Sequence, residues 1–460
     1  MVNRRQFIIM NQPYEAIDFN YLRLSCGLVL SYHKDLKVTE SGEYTLIGHA
    51  FSCTKDDVEI NEKFMETWAG RWVLITHNAI FTDACGTLGL FYVDSKTTII
   101  SSSLNLIKQV FPTHWTANYE IRYNDGLPYM DYYPIPSTPY YGIKKLLPTQ
   151  YYSLSKGVLD YHEEWYKKYS DLNIETLYQN FKDKLINVFV NIKKEYDGNI
   201  WIPLTAGVDS RTNIAIAKKT GMIFGAYTAQ RNNVDAWDFK APAKICKKLS
   251  IPHFYMDDRF SDNLKRKSDY EEHCGGIVTV GTDKDQYIKG NDVPNAEKAI
   301  ILWGTAWEVY GRNFWGTFEL GDSPDSRFEA WNQYSHGAIT KSNVHEESLR
   351  YWFNYIDKHP MTYMDWRQRM YYEQRIGSWL SGAYQAIDLF DSVRISPVNC
   401  YDIFGILMNL VDKTFAKDSR STKCYQERLI DEFVPELRFI PYEKQPSIVK
   451  RIYKKIKKKI

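Results

Sequence analysis

No run of about 18 apolar residues occurs in the 460-residue chain, which argues against a membrane-spanning helix. The start, MVNRRQFIIMNQPYE, lacks the apolar core and small-residue cleavage site of a secretory leader, so none is expected. The seven cysteines (Cys26, Cys53, Cys85, Cys246, Cys274, Cys400, Cys424) are scattered and form no Cys-x-x-Cys pair. That spacing points to neither a zinc site, an iron–sulfur cluster nor a disulfide framework, and the expected compartment is a reducing cytoplasm. Charge of one sign is lacking as well: 58 Lys and Arg against 56 Asp and Glu leave +2, with no general pull toward nucleic acid. Both G-x-x-x-x-G-K-[ST] and G-x-G-x-x-G are absent, so neither an ordinary P-loop nor a dinucleotide fingerprint is supported.

What is present is length enough for two domains and an abundance of rings, with 35 Tyr, 22 Phe and 13 Trp. From about residue 20 to 165 short β-like runs alternate with turns: YTLIGHAFS, RWVLITHNAIFTD, TTIISSS and GIKKLLPTQYYSLSKGVLDYHEEW. His77-Asn78 reads as a hairpin reversal, and an antiparallel domain follows. Beyond about residue 170 helix-length segments alternate with apolar runs, as a parallel βαβ sheet requires. NIWIPL, MIFGAYT, PHFYMD and AIILWG read as strands. RTNIAIAKKTG, stopped by Gly221, and DAWDFKAPAKICKKLSI read as helices, and residues 350–435 as mainly helical. The last residues, IVKRIYKKIKKKI, place Ile448, Ile452, Ile456 and Ile460 four apart among lysines. They form either a solvated tail or a basic amphipathic segment with weak contact to an anionic membrane surface.

The stretch IPLTAGVDSRTNIAIA, residues 202–217, joins an apolar strand to a helix through Thr205, Ala206, Gly207, Val208, Asp209 and Ser210. Small residues let backbone N–H groups approach an anion, and the helix N-terminus adds its positive end. Thr205 and Ser210 can donate hydroxyl hydrogen bonds. Asp209 has the wrong sign for phosphate unless a cation lies between, which implies Mg²⁺. The bland alternative is a turn in which Ser or Asp caps the helix.

These residues carry a resemblance. PLTAGVDSR resembles the Ser-Gly-Gly-x-Asp-Ser pyrophosphate loop of the asparagine synthetase family, ATP pyrophosphatases that adenylate a substrate. Further stretches follow in the family's order: AYTAQRNNVDAWDFKAPAKICKKLSIPH, IILWGTAWEVYGR, SPVNCYDIFGILMNL and STKCYQERLIDEFVPELRFIPYEK. In front of them AGRWVLITHNAIFTDACGTLGLFYV and YYGIKKLLPTQYY resemble the family's glutamine amidotransferase domain. The resemblance implies an Ntn-hydrolase-like antiparallel sandwich over 1–168. It implies an adenine nucleotide alpha hydrolase-like (ATP pyrophosphatase) α/β domain over 169–445, followed by the basic tail 446–460.

Carried over residue by residue, it implies that ATP is cradled by Leu204, Thr205, Ala206, Gly207, Val208, Asp209, Ser210 and Arg211. Tyr227 and Thr228 then lie at the adenine edge, with Gly304 in the loop that faces the cradle. Two departures matter. The family's nucleophilic cysteine follows Met1, and here residue 2 is Val, so glutamine hydrolysis is not expected. Cys26, Cys53 and Cys85 inside that domain read as structural thiols. In the facing loop the family's metal-binding Asp aligns with Trp307, leaving Glu308 to share Mg²⁺ with Asp209; Trp307 is either packing or a substrate contact.

Members without the cysteine, such as β-lactam synthetase and the lasso peptide cyclases, close an amide within one substrate. By position Glu373 would help deprotonate the amine, or else pair with Arg369 or Arg375, and Lys444 would stabilise developing charge. Arg375 is a further phosphate or carboxylate candidate. The implied function is ATP- and Mg²⁺-dependent amide formation through an acyl-adenylate, on a small molecule or a peptide brought by a delivering protein. Two alternatives stay open: a ligase placing ammonia or an amine on an acidic acceptor such as a sugar, and a non-catalytic nucleotide-binding scaffold.

Overall fold

The computed structural model describes residues 3–95, 97–114, 133–162, 165–230, 236–257, 269, 272–275, 293–309, 322–335, 337, 339–341, 343–415 and 421–442. Lys444 and the tail 446–460 lie outside them.

Twelve strands build the N-terminal part: β1 Phe7–Met10, β2 Phe19–Arg23, β3 Val29–His33, β4 Val38–Ser41, β5 Tyr44–Ser52, β6 Trp68–Ile75, β7 Ala79–Thr82, β8 Phe91–Val93, β9 Ile100–Ser101, β10 Ile143–Lys145, β11 Gln150–Ser153 and β12 Val158–Tyr161. They form two six-stranded antiparallel sheets, ordered β10-β8-β9-β1-β3-β2 and β12-β11-β7-β6-β5-β4. The period-2 pattern explains the sandwich. In β1, Phe7 and Ile9 face the other sheet and pack with Leu30, Ile47, Val73, Ile75 and Ile80. Ile8 and Met10 face away, into a second cluster with Phe91, Ile107 and Leu389. Each such buried side chain contributes roughly 1.5–3 kcal/mol relative to an exposed one. The expected reversal at His77-Asn78 joins β6 to β7 and is closed by Thr76 N–H donating to Ala79 O at 2.9 Å. At Gly70 (φ +128°) a Cβ would sit 2.3 Å from His49 O, so only glycine lets β5 and β6 approach there.

The C-terminal part begins with helix α2, Ile174–Tyr196, after the short α1, Leu104–Val110. Asn173 caps α2 by accepting from Thr176 N–H, and Leu177, Phe181, Leu185, Val188 and Ile192 make its buried stripe. Five parallel strands follow: β13 Ile200–Pro203, β14 Phe224–Gln230, β15 His253–Asp257, β16 Ile300–Leu302 and β17 Val393–Ile395, in the order β15-β14-β13-β16-β17. Helix α3 (Val208–Lys219) links β13 to β14, and α4 (Ala236–Leu249) links β14 to β15. Helices α5 (Pro324–Tyr334), α6 (Asn343–Lys358) and α7 (Trp366–Arg369) follow. A π-helical stretch (Met370–Leu380) leads into α8 (Ser381–Ile387), and α9 (Tyr401–Thr414) and α10 (Lys423–Phe433) complete the set. The molecule is thus mixed α/β, an antiparallel sandwich followed by a parallel five-stranded sheet with helices.

Two elements differ from expectation. Helix α3 starts at Val208, three residues earlier than its sequence pattern suggested, so Asp209 and Ser210 lie in its first turn. Strand β17, inside the stretch read as helical, is only three residues long and too short to carry a periodicity. Among the described residues no helix is long and apolar enough to cross a membrane.

Candidate functional site at the strand switch point

Strand β13 is flanked by β14 on one side and β16 on the other, so the sheet's strand order reverses beside it. In open α/β sheets the crevice outside the carboxyl ends of strands at such a reversal is where ligands bind. Two loops leave the sheet here, residues 204–207 after β13 and 303–306 after β16. Their contact is close. A Cβ on Gly304 would lie 3.3 Å from Ser210 N and 3.4 Å from the carbonyl carbon and Cβ of Asp209.

The first loop is held from within. Leu204 is buried, its N–H donates to Tyr227 O at 2.8 Å and its carbonyl accepts from Thr228 Oγ1 at 2.9 Å. Ala206 N–H donates to Asp238 Oδ1 at 3.0 Å, and Gly207 N–H to Thr205 Oγ1 at 3.1 Å. Ser210 Oγ lies 3.3 Å from Thr205 N and 3.4 Å from Thr205 Oγ1. Gly207 is the N-cap of α3, and no side chain caps this helix. The first-turn N–H groups from Val208 onward therefore have no intrahelical acceptor and face the crevice end of a 12-residue helix.

Each segment also carries a carboxylate, Asp209 in the first turn of α3 and Glu308 just beyond Gly304 in the chain. Asp209 Oδ1 accepts from Gln426 Nε2 at 2.7 Å, and Glu308 Oε1 accepts from Tyr371 OH at 3.2 Å. Glu308 Oε2 is buried with no hydrogen-bond partner among the described residues. A buried carboxylate oxygen left unmatched is costly unless a cation or donor completes it. Hard oxygen donors of this kind suit Mg²⁺. No cluster of three or more His, Cys, Asp or Glu side chains able to hold a metal occurs among the described residues.

Several expected ligands are placed elsewhere. Arg211 is fully buried and points away from the crevice. Its guanidinium donates to the carbonyls of Leu437, Ile440 and Pro441 and stacks 4.4 Å from the Tyr442 ring centroid. Burial pushes this guanidinium below its ordinary value, and the helix turn that exposes Asp209 to the loop sends residue 211 inward. Arg211 is therefore an anchor for the C-terminal segment and not a phosphate contact. Trp237 Nε1 grips the same Pro441 carbonyl at 3.1 Å. Lys444, further along that segment, lies outside the described residues.

Glu373 is also corrected. It is completely buried, with Oε1 accepting from Thr149 Oγ1 at 2.7 Å and Arg369 Nε at 2.8 Å, and Oε2 from Trp352 Nε1 at 2.7 Å. With its oxygens engaged by three buried donors, Glu373 serves as a structural junction between β11's approach and α6. Trp307 resolves to packing: it is 1% exposed, edge-on to Phe181, and donates to Asn213 Oδ1 at 3.3 Å. Tyr227 buries its ring with Met256, Val293 and Ile301. Thr228 spends its hydroxyl proton on Leu204 O, so His253 Nε2, 2.9 Å away, donates to it. Both residues brace the strand ends rather than present groups to the crevice. Arg375 stacks on Trp379 at 4.9 Å.

Residues missed by sequence reasoning hold the loops in place: Asp238, Gln426, Tyr371 and the pair Thr305–Tyr384. Only Asp238 had a local signal, as an acid in the stretch after β14. In the sandwich Cys53 and Cys85 are buried and Cys26 half-buried, and burial pushes the Cys85 thiol well above its ordinary value. The chain matches no family model and no curated protein.

Proposed function

We propose that the crevice binds ATP with Mg²⁺ and forms an acyl-adenylate from a substrate carboxylate, which an amine then converts to an amide with release of AMP and PPi. The observation that carries this reading is the apposition of Gly304 to Asp209 and Ser210 at the N-terminus of α3, with the unmatched Glu308 oxygen further along the Gly304 segment. We read the sandwich as Ntn-hydrolase-like and the C-terminal part as of the ATP pyrophosphatase type, supported by the strand order and by the loop at its switch point.

In this reading the uncapped N–H groups of α3 and the Thr205 and Ser210 hydroxyls bind the departing pyrophosphate, with the helix dipole favouring its charge. Asp209 and Glu308 would hold Mg²⁺, which when bound neutralises charge on the phosphates. Tyr371 and Gln426 each donate to one oxygen of these carboxylates and so orient them. The adenine lies toward the end of β14, where Tyr227 and Thr228 fix the wall. Lys444 keeps its place in the proposal as the cation for the acyl-transfer step, reached through the segment that Arg211 anchors.

Cys53 and Cys85 are buried and Cys26 is half-buried, and in this reading all three are structural thiols. This supports an amine that arrives with the substrate, and so ring closure within one small molecule or one peptide, the peptide brought by a delivering protein. The test is exchange of labelled PPi into ATP with candidate carboxylates. The expected result is exchange that requires Mg²⁺ and is lost in Asp209→Asn. Wild-type protein that exchanges with no carboxylate, and Asp209→Asn that keeps the protein's biological activity, would defeat the enzyme reading.

A further inference from the structure

The sandwich reaches the candidate site through a chain of contacts that is buried at Arg71, Asp388 and Tyr384 and half-buried at Thr305. Arg71 on β6 is 7% exposed and grips Asp388, 1% exposed, with two points: Nη1 to Oδ1 at 2.5 Å and Nη2 to Oδ2 at 2.8 Å. Its Nε donates to Thr87 O at 3.3 Å, which fixes the plane of the guanidinium. That plane lies 5.3 Å from the ring centroid of Tyr384, one turn before Asp388 at the end of α8. The Tyr384 ring packs edge-on against Trp303 at 5.3 Å, and its hydroxyl is 3.4 Å from Thr305 Oγ1. Thr305 O in turn accepts from Ser396 Oγ at 2.5 Å. Thr305 sits between Gly304, which touches Asp209, and Glu308, which carries the unmatched oxygen.

Taking two charges out of water is expensive, and an apolar pair would hold two domains together at least as well. What a forked, planar cation adds is direction: it fixes Asp388 bidentately and seats a ring against its face, which a lysine cannot do. We infer that Arg71 is a positioning residue, through which the N-terminal sandwich sets the loop Gly304–Glu308 by way of Asp388 and Tyr384. The sandwich is then part of the site's wall, independent of any glutaminase chemistry. The inference rests on the proposed nucleotide–metal reading only for its effect on Mg²⁺; its effect on the loop stands without it.

The experiment uses the full chain carrying Arg71→Lys, with Tyr384→Phe as the milder variant that keeps the ring and removes only the hydroxyl. Amide hydrogen exchange is followed over residues 303–309, with residues 204–210 and strand β1 as internal references. Both variants are expected to exchange faster over 303–309 while β1 keeps wild-type protection. The Mg²⁺ concentration giving half-maximal ATP binding is expected to rise about 10-fold in Arg71→Lys, as for an outer-shell partner of a metal ligand. If wild-type protein shows no Mg²⁺-dependent ATP binding but the exchange difference appears, the nucleotide reading fails and the positioning role stands. Wild-type exchange over 303–309 in both variants overturns the positioning role.

Discussion

In the sandwich, Asp83 collects donors from Thr87, Cys85, Trp72 and Asn399, and Arg71 meets its counter-charge at two points. At the carboxyl edge of the parallel sheet, helix α3 starts without a side-chain cap and Glu308 keeps one buried oxygen unmatched. Both regions are well packed, and they differ at their centres: the Asp83 and Arg71 groups meet partners, although Asn399 Oδ1 does not, whereas the α3 N-terminus has no side-chain cap and a Glu308 oxygen has no partner among the described residues. A saturated network holds a structure, whereas an unsaturated one is left ready for a ligand. On the proposed function, ligand binding belongs where polar groups are held by one side only. The contrast also predicts that substitutions in the saturated regions change stability, and that those at the sheet edge change binding.

The largest effect should come from a saturated junction once taken for a catalytic one. Glu373→Gln leaves Arg369 buried without its counter-charge and should cost about 3–5 kcal/mol in a denaturant melt. Affinity for ATP in the protein that remains folded should be unchanged. Full stability with a loss of amide formation of about 10²–10⁴ would instead restore Glu373 as a base.

Some sandwich groups, Thr82 Oγ1 among them, depart from the contrast, and one is a buried cation. Lys145 is 1% exposed, its Nζ has no hydrogen-bond partner among the described residues, and burial lowers it from the ordinary 10.5 to about 7. Its neutral form is favoured in the fold while the unfolded chain still binds the proton. Stability should therefore rise with pH from about 7 toward 10.5 and lose that increment as pH falls. Lys145→Met should flatten this dependence and add roughly 1–3 kcal/mol at pH 7, measured by thermal melts across that range. A wild-type curve as flat as the variant's would show that the amine finds a partner in solution.

A smaller effect is expected at the sheet edge. Gly304→Ala places a methyl 3.3–3.4 Å from Ser210 N and the Asp209 backbone, so the two loops must part by a few tenths of an ångström. ATP affinity should fall about 10-fold, or ~1.4 kcal/mol, by titration calorimetry, with the melting curve unmoved. A shift in melting with unchanged affinity would place Gly304 among the structural residues.

How much of this could be read from the sequence divides along the same line. The βαβ alternation is a local pattern and lies where that pattern put it; the small-residue loop follows β13 as read but is shortened by the early start of α3, and the facing Gly304 came only from the resemblance. Arg211 and Glu373 were misassigned because their partners are remote: the carbonyls of residues 437–441 for one, Thr149 and Trp352 for the other. Nothing in a helical heptad tells whether a charged side chain turns toward a crevice or toward a distant segment that will bury it. Trp307 shows the same limit, since a ring in a loop reads equally as a ligand contact or as core. The Arg71–Asp388 pair joins residues 317 apart and had no sequence signal at all.

On the proposed function, the two loops at the switch point hold ATP through a metal shared by Asp209 and Glu308. That arrangement is tested most directly by calorimetric titration of ATP into the full-length protein with and without Mg²⁺, repeated with Asp209→Asn. The predicted result is saturable binding that strengthens with Mg²⁺ in the wild type, with the Mg²⁺ increment gone in the variant and the melting curve intact. Equal binding by both proteins, or none by either in the presence of Mg²⁺, would contradict it.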